Sequence, residues 1–438
     1  MTGERYVVLG LAHARSRWFA EVSRWTTSGS IPVEFVKCLS VDELRARIDA
    51  GRPYSAALLD ARLPAVDRDL LAAVADANVA GLVVGRDDGP RDWRHLGAAA
   101  HLPDGFDRAT LLDALATHGR LIDEVTSRPE PDEAAAAPLV AWRGPLVAVL
   151  GRSGSGASTL AAALAQRLAT DPRYAGDVLL VDLVRRAHQA VLHDARDVVP
   201  GIQEVVELHR SATPTAAELA RLSFEVPSRG YRLVLGLRHP RDWVALRARA
   251  LLASLDALRR TSRLVVADAD PDLEGEAESG SLDVEDRHLL GRSAVTTADL
   301  VVVVATPSLT GLAGLPGRLD ELRRCGVDGS RLLVVLNRAP RSVRARSELS
   351  RVVAEITGAR SAPDPHLGPV FVPERRGVDA LHRDLAPFPA PLTEPIGAAV
   401  LAALDRLPDP GLVPAPSAEP EPVPVAPGSL GHWREEEP

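Results

Sequence analysis

The sequence predicts an α/β protein built from two doubly wound sheets, one small and one larger. Three observations predict it. Short apolar runs alternate with amphipathic helical stretches through residues 1–125, and again through 144–407. In the second stretch the apolar runs are nearly continuous, as in parallel strands covered by helices on both faces. One of those runs, PLVAVLG, leads into the glycine-rich segment GRSGSGAST at 151–159. TLAAALAQRLA follows at once, with its apolar residues on one helical face.

In order along the chain, the first unit should hold strands at Tyr6–Leu11, Val33–Cys38, Ala56–Asp60, 81–84 and 98–102, with helices between them. Residues 126–143 contain SRPEPDEAAAAP, which has no apolar period and reads as a linker. The second unit, 144–407, should continue after the glycine-rich turn with strands at 178–182, 232–237, 264–268, Leu300–Ala305, 331–337 and 370–372. From 408 to 438 the chain is rich in Pro and Glu. It carries too few apolar groups to offset the entropy of ordering, so a disordered tail is expected there.

With 438 residues, 46% of them hydrophobic, the chain can bury two or three real cores. Its net charge of −8 argues against a general attraction to nucleic acid or to anionic membrane. Cys38 and Cys325, the only two cysteines, fall in different units and suit a reducing cytoplasm. The first residues lack the apolar stretch of a signal peptide, and LVVVVA (300–305) is far too short to span a bilayer. A soluble cytoplasmic protein is expected, recruited to any membrane machinery through partners.

A strand, a glycine-rich turn and a helix together make a phosphate-binding loop. The glycines at 151, 154 and 156 let the backbone approach an anion, and the helix beginning near Ser158 aims its positive end there. The spacing is that of GxxxxGK[ST], but Ala157 occupies the lysine position. No lysine lies nearby, because Lys37 is the only one in the chain. The loop residues Gly151, Arg152, Ser153, Gly154, Ser155, Gly156, Ala157, Ser158 and Thr159 are thus the candidate ligand-binding set, with Ser158 placed to meet Mg²⁺. His188, His193 and His209 lack metal-ligand spacing and read as ordinary surface or core histidines.

At these residues the chain resembles the MinD/ParA family of deviant-Walker P-loop ATPases, and within it the CpaE/TadZ-like branch. Arg152 falls where that family carries its signature lysine, just after the first glycine. GDVLLVDLV puts Asp182 at the first switch aspartate, and RLVVADADPD puts Asp268 at the Walker B position. TADLVVVVATPS resembles a further family strand. LLVVLNRAP puts Asn337 where the family reads adenine, and FVPERRGVDALHRD resembles the segment lining the base, around Pro373 and Glu374. The resemblance implies ATP and Mg²⁺ as ligands, with Ser158, Asp182 and Asp268 at the metal, and a homodimer with partners in pilus, secretion or cell-division machinery. Two departures bear on activity: Ala157 removes a phosphate-neutralising cation, and Val184 stands where a second, water-orienting aspartate is usual. Positioning and charge neutralisation are most of phosphoryl-transfer catalysis, so no catalytic residue is assigned and efficient hydrolysis is not expected.

Residues 5–118 more weakly resemble a response-regulator receiver, with Asp60 at the phospho-acceptor position. The acidic pair after the first strand is replaced by LAHARSRW, and Asp104 stands where a lysine is needed, which implies a pseudo-receiver used for protein contacts. The leading expectation is a localisation or scaffold protein with a degenerate nucleotide site. The alternatives are a slow ATPase using Arg152, or a ParA-like nucleoid binder using Arg338, Arg341, Arg344, Arg346 and Arg351. Those five read as a solvated face in a chain with almost no lysine.

Overall fold

Strand formation follows the apolar pattern closely. The computed structural model describes residues 5–406 apart from 14–15, 50–51, 87–90, 123–141, 196–198 and 360–363. The expected tail lies outside the described residues, as does the expected linker but for Trp142 and Arg143.

The first sheet contains β1 (Tyr6–Leu11), β2 (Val33–Cys38), β3 (Ala56–Asp60), β4 (Ala80–Gly85) and β5 (Ala100–Pro103). All pairs are parallel, in the order β2-β1-β3-β4-β5. This is a doubly wound arrangement. Alternation along each strand feeds two cores: Val7, Leu9 and Leu11 enter one, while Val8 enters the other with Leu58 and Leu82.

The second sheet contains β6 (Leu146–Gly151), β7 (Val178–Leu183), β8 (Phe224–Val226), β9 (Tyr231–Val234), β10 (Leu264–Ala269), β11 (Leu300–Ala305), β12 (Leu332–Ala339) and β13 (Leu367–Pro373). Their order is β13-β12-β11-β6-β10-β7-β9-β8. Only the edge strand β8 is antiparallel, and at three residues it is too short for periodicity to reveal. The strand expected at 232–237 stops at Val234, because Leu235 already spends its carbonyl on the amide of Ile202.

From β6 the chain first moves to one side of the sheet, and later strands return to fill both of its flanks. The order therefore reverses at the carboxyl end of β6, the crevice where ligands bind in open α/β sheets. The helix Ala157–Ala169 starts there and is buried along most of its length. Its alanines at 161, 162, 163 and 165 are fully buried. Their small size lets it fit between the sheet and the helix Ala390–Leu404. The loop thus rests on a close-packed support.

The two units meet through the helix Arg68–Asp76. Asp67 caps that helix at Leu70 and pairs with Arg210 at 3.0 Å. Asp69 accepts hydrogen bonds from the amides of Arg249 (2.9 Å) and Ala250 (3.3 Å). A carboxylate from the first unit thereby caps the helix Ala248–Arg260 of the second.

Candidate functional site

Backbone geometry shapes the loop. Gly154 (φ +81°) and Gly156 (φ +87°) both adopt the left-handed conformation that disfavours other residues. Gly151 has a different constraint: a Cβ there would lie 2.5 Å from the Val304 carbonyl and from Ser155 Oγ. Asn337 braces the loop from β12. Its Nδ2 donates to the Ser155 carbonyl at 2.8 Å, its Oδ1 accepts from the Arg338 amide at 2.9 Å, and the residue is 8% exposed.

A cavity of about 490 Å³ opens over the loop. It is lined by loop residues 151–159, by 184–186 and His188 after β7, by 268–272 at the end of β10 and just beyond it, and by Arg318 and Arg338. A second space of about 220 Å³ lies on the β11 side and shares Gly151–Ser155, Arg318 and Arg338. Arg152 is exposed, and among the described residues its guanidinium reaches only the Thr310 carbonyl, at 3.3 Å. Ala157 lines the larger cavity as the first residue of its helix. The Thr159 hydroxyl instead meets His382 Nε2 at 3.1 Å, tying the loop to the helix Val378–Arg383. Pro373 pairs beside Ala339, and the exposed Glu374 donates its amide to the Ala339 carbonyl. Neither lines either cavity.

Asp182 and Asp268 pair in register at the ends of β7 and β10, both buried. Asp182 accepts from the amides of Val184 (3.1 Å), His188 (3.1 Å) and Gln189 (2.9 Å). Asp268 accepts from Gln189 Nε2 at 2.7 Å and from the Ser158 hydroxyl. Burial pushes both carboxyls above the usual carboxylate range, and for Asp268 the neighbouring Asp182 adds to the rise. An all-oxygen set of this kind, Ser158 with nearby carboxyls, fits a hard divalent cation that also takes ligand phosphates. Among the described residues, no group of three His, Cys, Asp or Glu forms a metal cage without such a ligand.

Sequence reasoning missed three participants. Gln189 links Asp268 to the Ser158 carbonyl across 79 residues of chain. Asp270 accepts from the amides of Arg185 (2.8 Å) and Asp272 (3.0 Å), shaping the turns on either side. Its position two residues after Asp268, just past the end of β10, was the available signal. Arg338, grouped beforehand with the arginines of the following segment, lies next to the last residue of β12, beside the loop. Arg344, Arg346 and Arg351 lie apart from it on the helix Val343–Ile356.

His193 and His209 are buried and bonded within the chain. His193 meets the Gln189 carbonyl at 2.8 Å and the Tyr231 hydroxyl at 2.6 Å, and His209 meets the Val205 carbonyl. Burial pushes the His193 imidazole down to about 4. The folded state therefore refuses a proton that the unfolded state accepts near pH 6.5, and stability is lost as pH falls from there toward 4. Acid titration of unfolding should show His193→Gln losing up to about 3 kcal/mol less than the wild type between pH 7 and pH 4.

In the first unit, Asp60 is fully buried and held by Arg62, whose Nε and Nη2 donate at 3.0 and 2.8 Å. Burial alone would raise the carboxyl, but the Arg62 bonds override it and hold the group below its usual range. Arg62 and Asp104 line a neighbouring cavity with Arg17, Trp18 and Glu21. With its oxygens engaged by an internal guanidinium, Asp60 should take no label from acetyl phosphate and Mg²⁺. Mass spectrometry of the treated protein checks this, and a phosphoryl group lost on Asp60→Asn would refute it.

No family model matches the chain, and no curated protein matches it. It is similar to several solved structures. One is a ParA family ATPase from Chlorobium tepidum TLS, at 16% identity over 60% of this chain and 99% of that one, with a TM-score of 0.47. A putative plasmid partition protein from Borrelia burgdorferi B31, bound to AMPPNP, is 17% identical over 60% of this chain and all of that one, with a TM-score of 0.43. The septum site-determining protein MinD from Pyrococcus horikoshii OT3, complexed with Mg-ADP, is 17% identical over 61% and 91%, with a TM-score of 0.39. Among the described residues, no helix is long and apolar enough to cross a membrane.

Proposed function

We propose that this chain is a MinD/ParA-like localisation protein of the CpaE/TadZ type, a nucleotide-holding platform rather than a fast ATPase. The observation that carries the reading is the loop at the carboxyl end of β6, complete in backbone form, with Ala157 where a working enzyme needs its cation. Backbone N–H groups and the helix start favour phosphate. Ser158 and Asp268 would hold Mg²⁺, which when bound would neutralise charge on the ligand's phosphates. Val184 offers no carboxylate to orient an attacking water. In this reading a homodimer with bound nucleotide marks a position for a pilus, secretion or division machine. The first unit, with Asp60 locked to Arg62, serves for protein contacts. Calorimetry of ATP and ADP, with and without Mg²⁺, tests it alongside phosphate release. Binding with negligible turnover is expected. No binding of either nucleotide, or turnover typical of working ATPases, would overturn it.

A further inference from the structure

The loop lacks a lysine, yet five arginines line the larger cavity beside it: Arg152, Arg185, Arg186, Arg318 and Arg338. Most are committed or peripheral. Arg185 pairs with Asp272 at 3.3 Å, and Arg318 with Glu321 and the Pro271 carbonyl. Arg152 leans on Thr310, and Arg186 lines one cavity only. Arg338 differs. It lines both cavities, and among the described residues its guanidinium has no hydrogen bond or ion pair.

Its backbone is also unusual. Arg338 holds φ +57°, a left-handed conformation that costs an L-residue with a long side chain. Asn337 enforces it, binding the Arg338 amide with one end of its side chain and the loop carbonyl of Ser155 with the other. Strain kept at a binding crevice calls for a ligand-directed reason. An independent sign of a ligand is Ser155 Oγ. It is buried and, among the described residues, without a hydrogen-bond partner, in a residue 5% exposed that lines both cavities.

We propose that Arg338, delivered from the end of β12, supplies the positive charge that Ala157 lacks, and that the loop's ligand is a polyphosphate. This ligand is a nucleoside di- or triphosphate whose terminal phosphates lie between the Arg338 guanidinium and the loop amides, with Ser155 Oγ as a further partner. The inference rests on the nucleotide reading above. A guanidinium suits the task because it engages phosphate oxygens in pairs.

The test is calorimetry on the full chain with ADP, adenosine and inorganic tripolyphosphate. ADP and tripolyphosphate should bind and adenosine should not. Arg338→Gln should weaken ADP by about tenfold or more, and Arg152→Ala by less, since that guanidinium is already shared with Thr310. Arg338→Gly separates binding from folding. Glycine adopts φ +57° freely, so the variant should melt at least as high as the wild type while losing affinity like Arg338→Gln. Affinity unchanged within about twofold in both Arg338 variants would overturn the proposal. So would adenosine binding as tightly as ADP, or a fall in melting temperature that accompanies the lost affinity in Arg338→Gly. If the wild type bound none of the three probes, the nucleotide reading itself would fall, and this proposal with it.

Discussion

Gly156→Ala should abolish ligand binding at the loop and destabilise the fold by about 2–5 kcal/mol. Two independent costs meet at this position. A left-handed backbone costs an L-residue roughly 1–2 kcal/mol, and φ at Gly156 is +87°. The new methyl would also lie 2.4 Å from Asn337 Nδ2, closer than any real contact allows. Asn337 must then give up either the Ser155 carbonyl or the Arg338 amide, leaving a buried polar group unpaired at about 1–3 kcal/mol. The support below cannot yield, because the helix that starts at Ala157 is packed on fully buried alanines. Differential scanning calorimetry and nucleotide titration read the two effects. Gly154→Ala serves as the comparison: φ there is +81°, but its Cβ would meet nothing within 4 Å. It should show the backbone cost alone, and equal losses in the two variants would remove Asn337 from the account.

That contrast also shows what a sequence can reveal of such a site. The strands were legible because alternating or continuous apolar runs report burial directly, and β1, β2, β3 and β11 fall at the expected bounds. The loop was legible because glycine spacing is local. Gln189, by contrast, matters through an aspartate 79 residues away, and nothing in its surroundings distinguishes it. Arg338 is a similar case. In sequence it belongs to a run of arginines, and only the turn at the end of β12 separates it from the helix carrying Arg344, Arg346 and Arg351. Arg62 was hidden for a different reason. The missing receiver residues could be read from the sequence, but not the guanidinium two residues after Asp60 that already pairs with it. Local periodicity encodes layers, whereas sites are closed by side chains from distant strands.

Joint replacement of Ala157 by Lys and Val184 by Asp should raise ATP turnover by about a hundredfold or more over the wild type. Each single change should recover only a small part of that. The two substitutions serve separate needs of phosphoryl transfer, one charge on the departing phosphates and the other orientation of the attacking water. Both positions already line the cavity, with Ala157 at the start of its helix and Val184 just beyond Asp182. Arg338 does not make the lysine redundant. A cation arriving from β12 that holds ground-state and transition-state charge alike tightens binding without speeding the chemical step. The missing water-orienting carboxylate would limit the rate even with phosphate charge fully balanced. Single-turnover measurements on the wild type, both single variants and the double variant give the comparison. Additive gains from the singles would mean the two groups act independently of one assembled site. Wild-type turnover equal to the double variant's would mean an arginine already serves as the catalytic cation, and the proposal of a nucleotide-holding positional mark would give way to that of a working ATPase.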